Sequence, residues 1–159
     1  MWFLTAKLKY YLFTFLISMV PVLELRFGLP YAFAKGLNMW VSICISIIGN
    51  LLPVPFVIIY MRRLFNYIRK HFPKFDGLIT KLETRTEKKS EKVLKYAFFG
   101  MFLLVAIPLP GTGAWTGAMV AAIIDMRLKK AFPAIAFGVI AAAIFVSLAT
   151  WGVFKFLIN

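Results

Sequence analysis

Apolar residues dominate the chain and are gathered into four stretches separated by charged or turn-forming positions. These stretches cover residues 10–23, 39–61, 96–124 and 131–154. A helix that crosses a membrane needs about 20 apolar residues, because the hydrocarbon core is about 30 Å thick. The second and fourth stretches reach this length without interruption. We therefore predict that each of them forms one transmembrane helix.

The first and third stretches are interrupted. The first is about 14 residues long, which is about 21 Å of helix, and Glu24, Arg26, Gly28 and Pro30 follow it. The third carries the sequence P-L-P-G-T-G at its centre, in which proline removes backbone donors and glycine favours non-helical backbone. We predict a helix–break–helix in each place, folded as a re-entrant hairpin that returns to its own side of the membrane. A kinked span is the alternative.

The two halves share the order broken segment, short polar link, uninterrupted span, which indicates an internal repeat. Aligning Pro21 with Pro108 superimposes the halves with an offset of 87 residues. A hairpin makes no net crossing and a span makes one, so the second half has to be inverted relative to the first. We predict an all-α integral membrane protein that is one domain with an inverted repeat. Its parts are residues 1–61 (first repeat), 62–95 (connector) and 96–159 (second repeat).

Composition excludes several other classes of protein. Hydrophobic residues make up 62% of the chain and charged residues 16%, whereas a soluble domain is about half apolar and a quarter charged. The lone Cys44 excludes a disulfide framework, and the lone His71 excludes a multi-histidine metal site. We expect no metal, no cofactor and no enzymatic activity, because the sequence also lacks a nucleophile set, paired carboxylates and a phosphate-transfer motif.

The formal net charge of +13 is concentrated in the connector. An excess of Lys and Arg marks a cytoplasmic segment, so we place residues 62–95 on the cytoplasmic side of a bacterial or archaeal plasma membrane. Their alternation of apolar and basic residues predicts an amphipathic segment that binds anionic lipid headgroups rather than nucleic acid. Charge counting does not decide between hairpins, which put the termini outside, and four full spans, which put them inside.

Glu24 and Arg26 in the first break are the strongest candidates for a site. A charged group at membrane depth costs about 2.5–3.5 kcal/mol and is retained when it is paired or functional. Two residues apart in extended backbone, the side chains point the same way and can pair. We interpret them as a substrate site in which Arg26 binds an anionic headgroup and Glu24 takes or releases a proton. A turn among lipid headgroups is the alternative.

The second break offers hydroxyls and backbone N–H groups rather than ionisable side chains. The start of the returning helix favours an anion, although a structural kink is the alternative. The candidate substrate-binding residues here are Pro108, Pro110, Gly111, Thr112, Gly113, Trp115 and Thr116.

Three weaker features complete the candidates. Asp125 is a second candidate for proton coupling, or else pairs locally with Arg127 or Lys129, and Arg127 is a secondary basic candidate. Small residues around Gly138 favour close helix packing against a span, a hairpin or a second protomer, which permits a homodimer. A polar stripe on the second stretch either faces a cavity or bonds across helices; it consists of Ser42, Ser46 and Asn50.

The segments P-x-L-E-L-R-x-G-L-P at 21–30 and A-I-P-L-P-G-T-G-A-W-T-G-A at 106–118 resemble the small multi-drug export protein family. That family is distantly similar to the DedA family of the VTT (SNARE-associated) superfamily. The resemblance implies two opposed re-entrant hairpins and, within the superfamily, the flipping of undecaprenyl phosphate or of phospholipids, with proton coupling in some members. DedA proteins carry essential arginines in and after the second hairpin; here Arg127 is the nearest.

Three functions follow from these observations. The first is a DedA-like transporter or flippase of an anionic lipid carrier, with the substrate held midway between the hairpins. The second is the proton-coupled export of small cationic drugs, which would use Glu24 and be opposed by Arg26. The third is a membrane adaptor that acts through the basic connector and transports nothing.

Overall fold

A computed structural model describes residues 2–71, 91–109 and 111–158, and all regular structure within these ranges is helical. The helices are α1 (Trp2–Met19), α2 (Glu24–Ala34), α3 (Met39–Leu51), α4 (Val54–His71), α5 (Glu91–Ala106), α6 (Ala114–Ile123) and α7 (Leu128–Ile158). The prediction of an all-α protein is confirmed for this part of the chain. Most of the predicted connector, and Pro110, lie outside the described residues.

Two stretches of helix are long and apolar enough to cross a membrane, Met39–Phe65 and Leu128–Phe156. They confirm the two predicted spans, with one difference. The first span is interrupted between α3 and α4, because Pro53 and Pro55 cannot donate the N–H groups that a continuous helix requires. Helix α4 then continues to His71, so the predicted start of the connector at residue 62 falls inside a helix.

The two broken segments are helical hairpins. Helix α1 packs on α2 and α5 packs on α6, and the interruptions fall at 20–23 and 107–113. In the first hairpin the backbone N–H of Asn38, just beyond α2, donates to the Tyr11 hydroxyl in α1 at 3.1 Å, so the chain has turned back on itself. Both first helices begin earlier than predicted, α1 at Trp2 and α5 at Glu91.

Helices α2 and α6 end in the same hydrogen-bonded turn. In each, backbone N–H groups beyond the helix donate back to carbonyls of its last turn. The bonds are Lys35 to Tyr31, Gly36 to Phe33 and Leu37 to Ala32, and then Ile124 to Val120, Asp125 to Ala122 and Met126 to Ala121. From Lys35 to Ile124 is 89 positions, and so is the distance from the start of α3 to the start of α7. These matching turns and helix starts are thus 89 residues apart, and not the 87 of the proline alignment.

Glycines at matching positions allow the helices of each half to approach closely. A Cβ added to Gly49 on α3 would lie 2.7 Å from the Phe15 carbonyl oxygen of α1. A Cβ added to Gly138, 89 positions later on α7, would lie 2.7 Å from Val105 Cβ and 2.9 Å from the Phe102 carbonyl oxygen of α5. The small-residue stripe around Gly138 therefore packs against α5 of the same chain.

The apolar core lies where α2, α4, α6 and α7 meet, beside the two interruptions. Its largest fully buried apolar side chains are Leu25, Leu29, Ile58, Ile135, Val54, Val105 and Val139. Large apolar side chains also cover much of the outer surface, as expected for a protein whose solvent there is lipid. The core holds both hairpins against both spans.

We expect Gly138→Ala to lower the free energy of unfolding by about 1–3 kcal/mol, because the added methyl overlaps α5 in a close-packed contact. Thermal unfolding in detergent micelles measures the change. The matched control is Gly152→Ala on the same helix, where no atom lies within 4 Å of the added carbon. Equal effects of the two substitutions would contradict this packing of α5 on α7.

Candidate functional site

The two interruptions meet inside the molecule, and Glu24 lies at the point of contact. Glu24 is the first residue of α2, with a left-handed φ of 50°. Its side chain is 5% exposed, and it is the one charged residue that is buried among those the structure describes. A buried charge must be paired or hydrogen-bonded to be tolerated, so its neighbours define the site.

The Glu24 carboxylate lies at the start of α6. Its Oε1 accepts a hydrogen bond from the backbone N–H of Trp115 at 3.3 Å. The backbone N–H of Ala114 and the side chain of Asn50 on α3 also lie near it. The first N–H groups of a helix have no partner within the helix and carry a partial positive charge. The anion predicted for this helix start is therefore present, and it is a side chain of the protein itself.

Gly113 makes this approach feasible. A Cβ on Gly113 would lie 2.6 Å from Cδ of Glu24 and would overlap both carboxylate oxygens. Its φ of 157° and ψ of −166° also belong to a region that glycine populates almost alone. Any other residue at 113 would displace the carboxylate from the end of α6.

Arg26 binds carbonyl groups at the C-terminal end of a helix, whereas Glu24 binds the N-terminal end of one. Its guanidinium donates to the carbonyl oxygens of Leu109 and Ile107, the latter at 3.2 Å, and to Thr112 Oγ1 at 3.0 Å. These carbonyls follow the end of α5, where the helix carries a partial negative charge. The predicted ion pair with Glu24 is wrong, because both residues lie in the first turn of a helix and their side chains reach different helix ends.

Trp115 caps the first hairpin in return. Its indole Nε1–H donates at 3.2 Å to the carbonyl of Met19, the last residue of α1. From Arg26 to Trp115 is 89 positions, so equivalent residues of the two hairpins each cap the first helix of the other. Glu24 and Gly113, which touch, are also 89 positions apart. The two interruptions thus form one unit with reciprocal contacts.

The remaining predicted residues of the second break shape the backbone. Thr112 Oγ1 lies 2.9 Å from the Ile107 carbonyl oxygen and 2.8 Å from that of Leu109, and the Thr116 hydroxyl donates to the Gly111 carbonyl at 2.8 Å. These bonds satisfy carbonyls that the interruption leaves without helical partners. Pro108 lies in the interruption and is exposed.

Asp125 and Arg127 are not part of this unit. They follow the far end of α6, about 15 Å from its start. Asp125 pairs with Arg62 of α4 at 3.4 Å, rather than with Arg127 or Lys129, and the Arg62 guanidinium also donates to the Met126 carbonyl. The local pairing predicted for Asp125 is therefore wrong, and the exposed Arg127 is remote from Glu24.

Sequence reasoning missed two residues. Arg62 begins the predicted connector and is not among the predicted site residues, although its place at the end of the first span is a signal. Asn50 is predicted as one member of a polar stripe and not as a neighbour of Glu24. Within the described ranges, no group of three or more His, Cys, Asp or Glu side chains could hold a metal ion.

We expect Gly113→Ala to destabilise the protein because of the overlap with Glu24, and to do so by about 0.5–3 kcal/mol less when Glu24→Ala is also present. Thermal unfolding of the two single variants and the double variant measures this coupling. Gly100→Ala is the control, since no atom lies within 4 Å of its added carbon. Strict additivity of the two changes would mean that the residues do not touch.

We expect Trp115→Phe to cost about 0.5–1.5 kcal/mol of stability, since it removes one hydrogen bond while keeping an aromatic ring. Trp151→Phe is the matched control, because Trp151 is more than half exposed near the end of α7. The same unfolding measurement applies. A loss for Trp151→Phe as large as that for Trp115→Phe would remove the capping role of the indole.

Comparison with known proteins identifies the family of the chain. No match is found among the curated proteins or the solved structures. The family model described as "Putative small multi-drug export protein" matches residues 24–145, which begin at Glu24 and include both hairpin returns and most of both spans. Because the match covers well over half of the chain, the protein belongs to this small multi-drug export family.

Proposed function

We propose that this protein is a proton-coupled exporter of small cationic amphipathic molecules, in which Glu24 binds a proton and the cation in turn. The observation that carries the proposal is the state of the two charges at the junction. Three of the five N–H donors of Arg26 are bonded to Leu109, Ile107 and Thr112, whereas Glu24 is a buried carboxylate. The family, which is named for the export of drugs, fits this interpretation.

Exposed aromatic residues support a membrane position that makes both hairpins re-entrant. Trp40 and Trp151 lie at one end of the molecule, and Tyr60 and Tyr96 at the other, and each is more than half exposed. Trp and Tyr favour the two membrane interfaces. Trp40 and Tyr60 are 20 positions apart along one span, or about 30 Å of helix, which is the thickness of the hydrocarbon core. Glu24 then lies between the interfaces, near the middle.

The orientation follows from the basic residues. Arg62, Arg63 and Lys129 lie at the tyrosine end, together with the start of the segment 62–95, so this end is cytoplasmic. The N terminus and the turn at Lys35 then lie on the outer side of the plasma membrane.

Helix packing supports the inverted repeat. Helix α1 packs on α3 as α5 packs on α7, and α2 packs on α7 as α6 packs on α4. Since α3 and α4 together correspond to α7, these are matching contacts under the equivalence of 89 residues. Two halves related in this way and entering from opposite faces bring their interruptions together at mid-depth.

Protonation of Glu24 would weaken the contact between the two hairpins. The carboxylate favours the junction because it is an anion at the positive end of α6. A proton removes that charge and weakens the cap, while a bound cation competes with the helix end for the same oxygens. Proton and substrate therefore act on one contact that joins the two halves, which is the requirement for an exchanger.

An anionic lipid carrier such as undecaprenyl phosphate, or a phospholipid, is the competing substrate. It requires a cationic group to hold the phosphate, and the guanidinium of Arg26 is bound to Leu109, Ile107 and Thr112. The membrane adaptor, which would transport nothing, leaves Glu24 with only its structural role at the start of α6.

In proteoliposomes with an acidic outer face, we expect ethidium to be moved towards that face, because protons entering there would exchange with the cation at Glu24. Dye fluorescence measures the transport. Glu24→Gln should abolish it, since the amide binds neither a proton nor a cation. Asp125→Asn, which removes an exposed carboxylate remote from the junction, should retain at least half of the rate.

Arg26→Lys separates the competing substrates. If Arg26 is a helix cap, lysine keeps the charge and part of the hydrogen bonding, so ethidium transport should fall by less than tenfold. Flipping of a fluorescent polyprenyl phosphate that is lost in Arg26→Lys, with no ethidium transport by the unmodified protein, would overturn the proposal in favour of the lipid carrier.

A further inference from the structure

A column of polar side chains runs through the interior from one end of the molecule to Glu24. Ser42, Ser46 and Asn50 lie at successive turns of α3, and each is at most 1% exposed. Successive members are about 6 Å apart along the helix, so the column covers about 12 Å. It begins one turn from Asn38, at the end of the molecule that carries the N terminus, and ends at Asn50, which lies near the Glu24 carboxylate.

Part of this column lacks hydrogen-bond partners. Ser46 Oγ and Asn50 Oδ1 are buried without a partner among the described residues, and so is Ser147 Oγ on α7, the helix that packs against α3. Buried serine and threonine in a helix normally donate to the carbonyl four residues before, as Ser42 and Thr150 do here. Buried polar atoms left without protein partners are typically satisfied by water.

The other half of the molecule has no such column. The positions 89 residues after Ser42, Ser46 and Asn50 are Ala131, Ile135 and Val139 on α7. All three are 0% exposed and apolar, and they belong to the core. The two routes from the surfaces to the junction therefore differ. The route along α3 is lined by polar side chains that lack some hydrogen-bond partners, whereas the route along α7 is filled by apolar side chains.

We propose that the column of Ser42, Ser46 and Asn50, together with Ser147, holds a file of water molecules that carries protons between Glu24 and the end of the molecule bearing the N terminus. The inference deepens the proposed function and rests on it only for the proton's destination, Glu24. The chemical class of the ligand is water and hydrated protons. Towards the opposite end, the matching positions of the described residues are apolar and buried.

The surroundings of Glu24 agree with a neutral path of this kind. The polar groups near it are Asn50 from α3 and the N–H groups of Ala114 and Trp115 from α6, and the charge of Arg26 on its own helix acts on it without forming an ion pair. No second buried charge occurs among the described residues, so the proton has to reach the carboxylate through water bonded to the hydroxyl and amide groups. Each of them can bond a water molecule without binding the proton permanently.

Cysteine accessibility tests the path without requiring transport. In a Cys44→Ala background, which removes the exposed native thiol, Ser46→Cys is compared with Ile135→Cys, its counterpart at the same distance from the opposite end of the molecule. The probe is a membrane-impermeant, positively charged methanethiosulfonate reagent, which reacts where water reaches the thiol. Lys35→Cys and Lys129→Cys, exposed at the two ends, report which end faces the outside of each proteoliposome.

We expect Ser46→Cys to be modified at least tenfold faster than Ile135→Cys, and only from the side on which Lys35→Cys reacts. Modification from the Lys129 side, or no difference between Ser46→Cys and Ile135→Cys in protein that elutes as a single folded species, would overturn the inference. Ser147→Cys gives the same comparison if Ser46→Cys does not fold.

The outcome is separable from that of the proposed function. Modification of Ser46→Cys with no transport of ethidium leaves the water path standing and rejects the exporter. Transport that depends on Glu24, with Ser46→Cys and Ser147→Cys both unreactive, retains the exporter and rejects the path.

Discussion

The contact that the rest of the structure depends on is the reciprocal capping of helix ends where the two hairpins meet. An interrupted helix leaves N–H and C=O groups without partners, and in a lipid environment water does not replace them. Here Glu24 and Arg26 of one hairpin satisfy the ends of α6 and α5, and Trp115 of the other satisfies the end of α1. Each hairpin is therefore complete only in contact with the other, which ties the two halves into one domain.

The same contact explains why equivalent positions hold different residues. At the first matching pair Glu24 contacts Gly113. Position 113 has to be glycine, because the Glu24 carboxylate occupies the space that a side chain there would need. At the second pair an arginine and a tryptophan both act as donors to carbonyls, but only the arginine brings charge. Of the four residues in these two pairs, Glu24 thus carries the one negative charge and Arg26 the one positive charge.

Much of this architecture could be predicted from local signals. Prolines and glycines located the second interruption, apolar length located both spans, and the cost of burying a charge singled out Glu24. The first interruption lies at 20–23, so Gly28 and Pro30, which were expected in it, are inside α2. The partners of Arg26 could not be predicted, because they lie 81–86 positions away and are fixed by the packing of two hairpins. The partner of Asp125 is on α4 for the same reason, and the offset of 87 failed because prolines in an interruption are not tied to helical register.

The two spans differ in their backbone hydrogen bonding, because the first one is interrupted at Pro53. Pro53 and Pro55 donate nothing to the carbonyls of Gly49 and Leu51, so α4 can tilt against α3 without breaking a backbone hydrogen bond. In the other half α7 runs as one helix of 31 residues, although Pro133 near its start also lacks an N–H group to donate. Since Asn50 lies at the bend, the hinge is at the depth of the carboxylate, and Arg62 on α4 carries any tilt to the turn between α6 and α7.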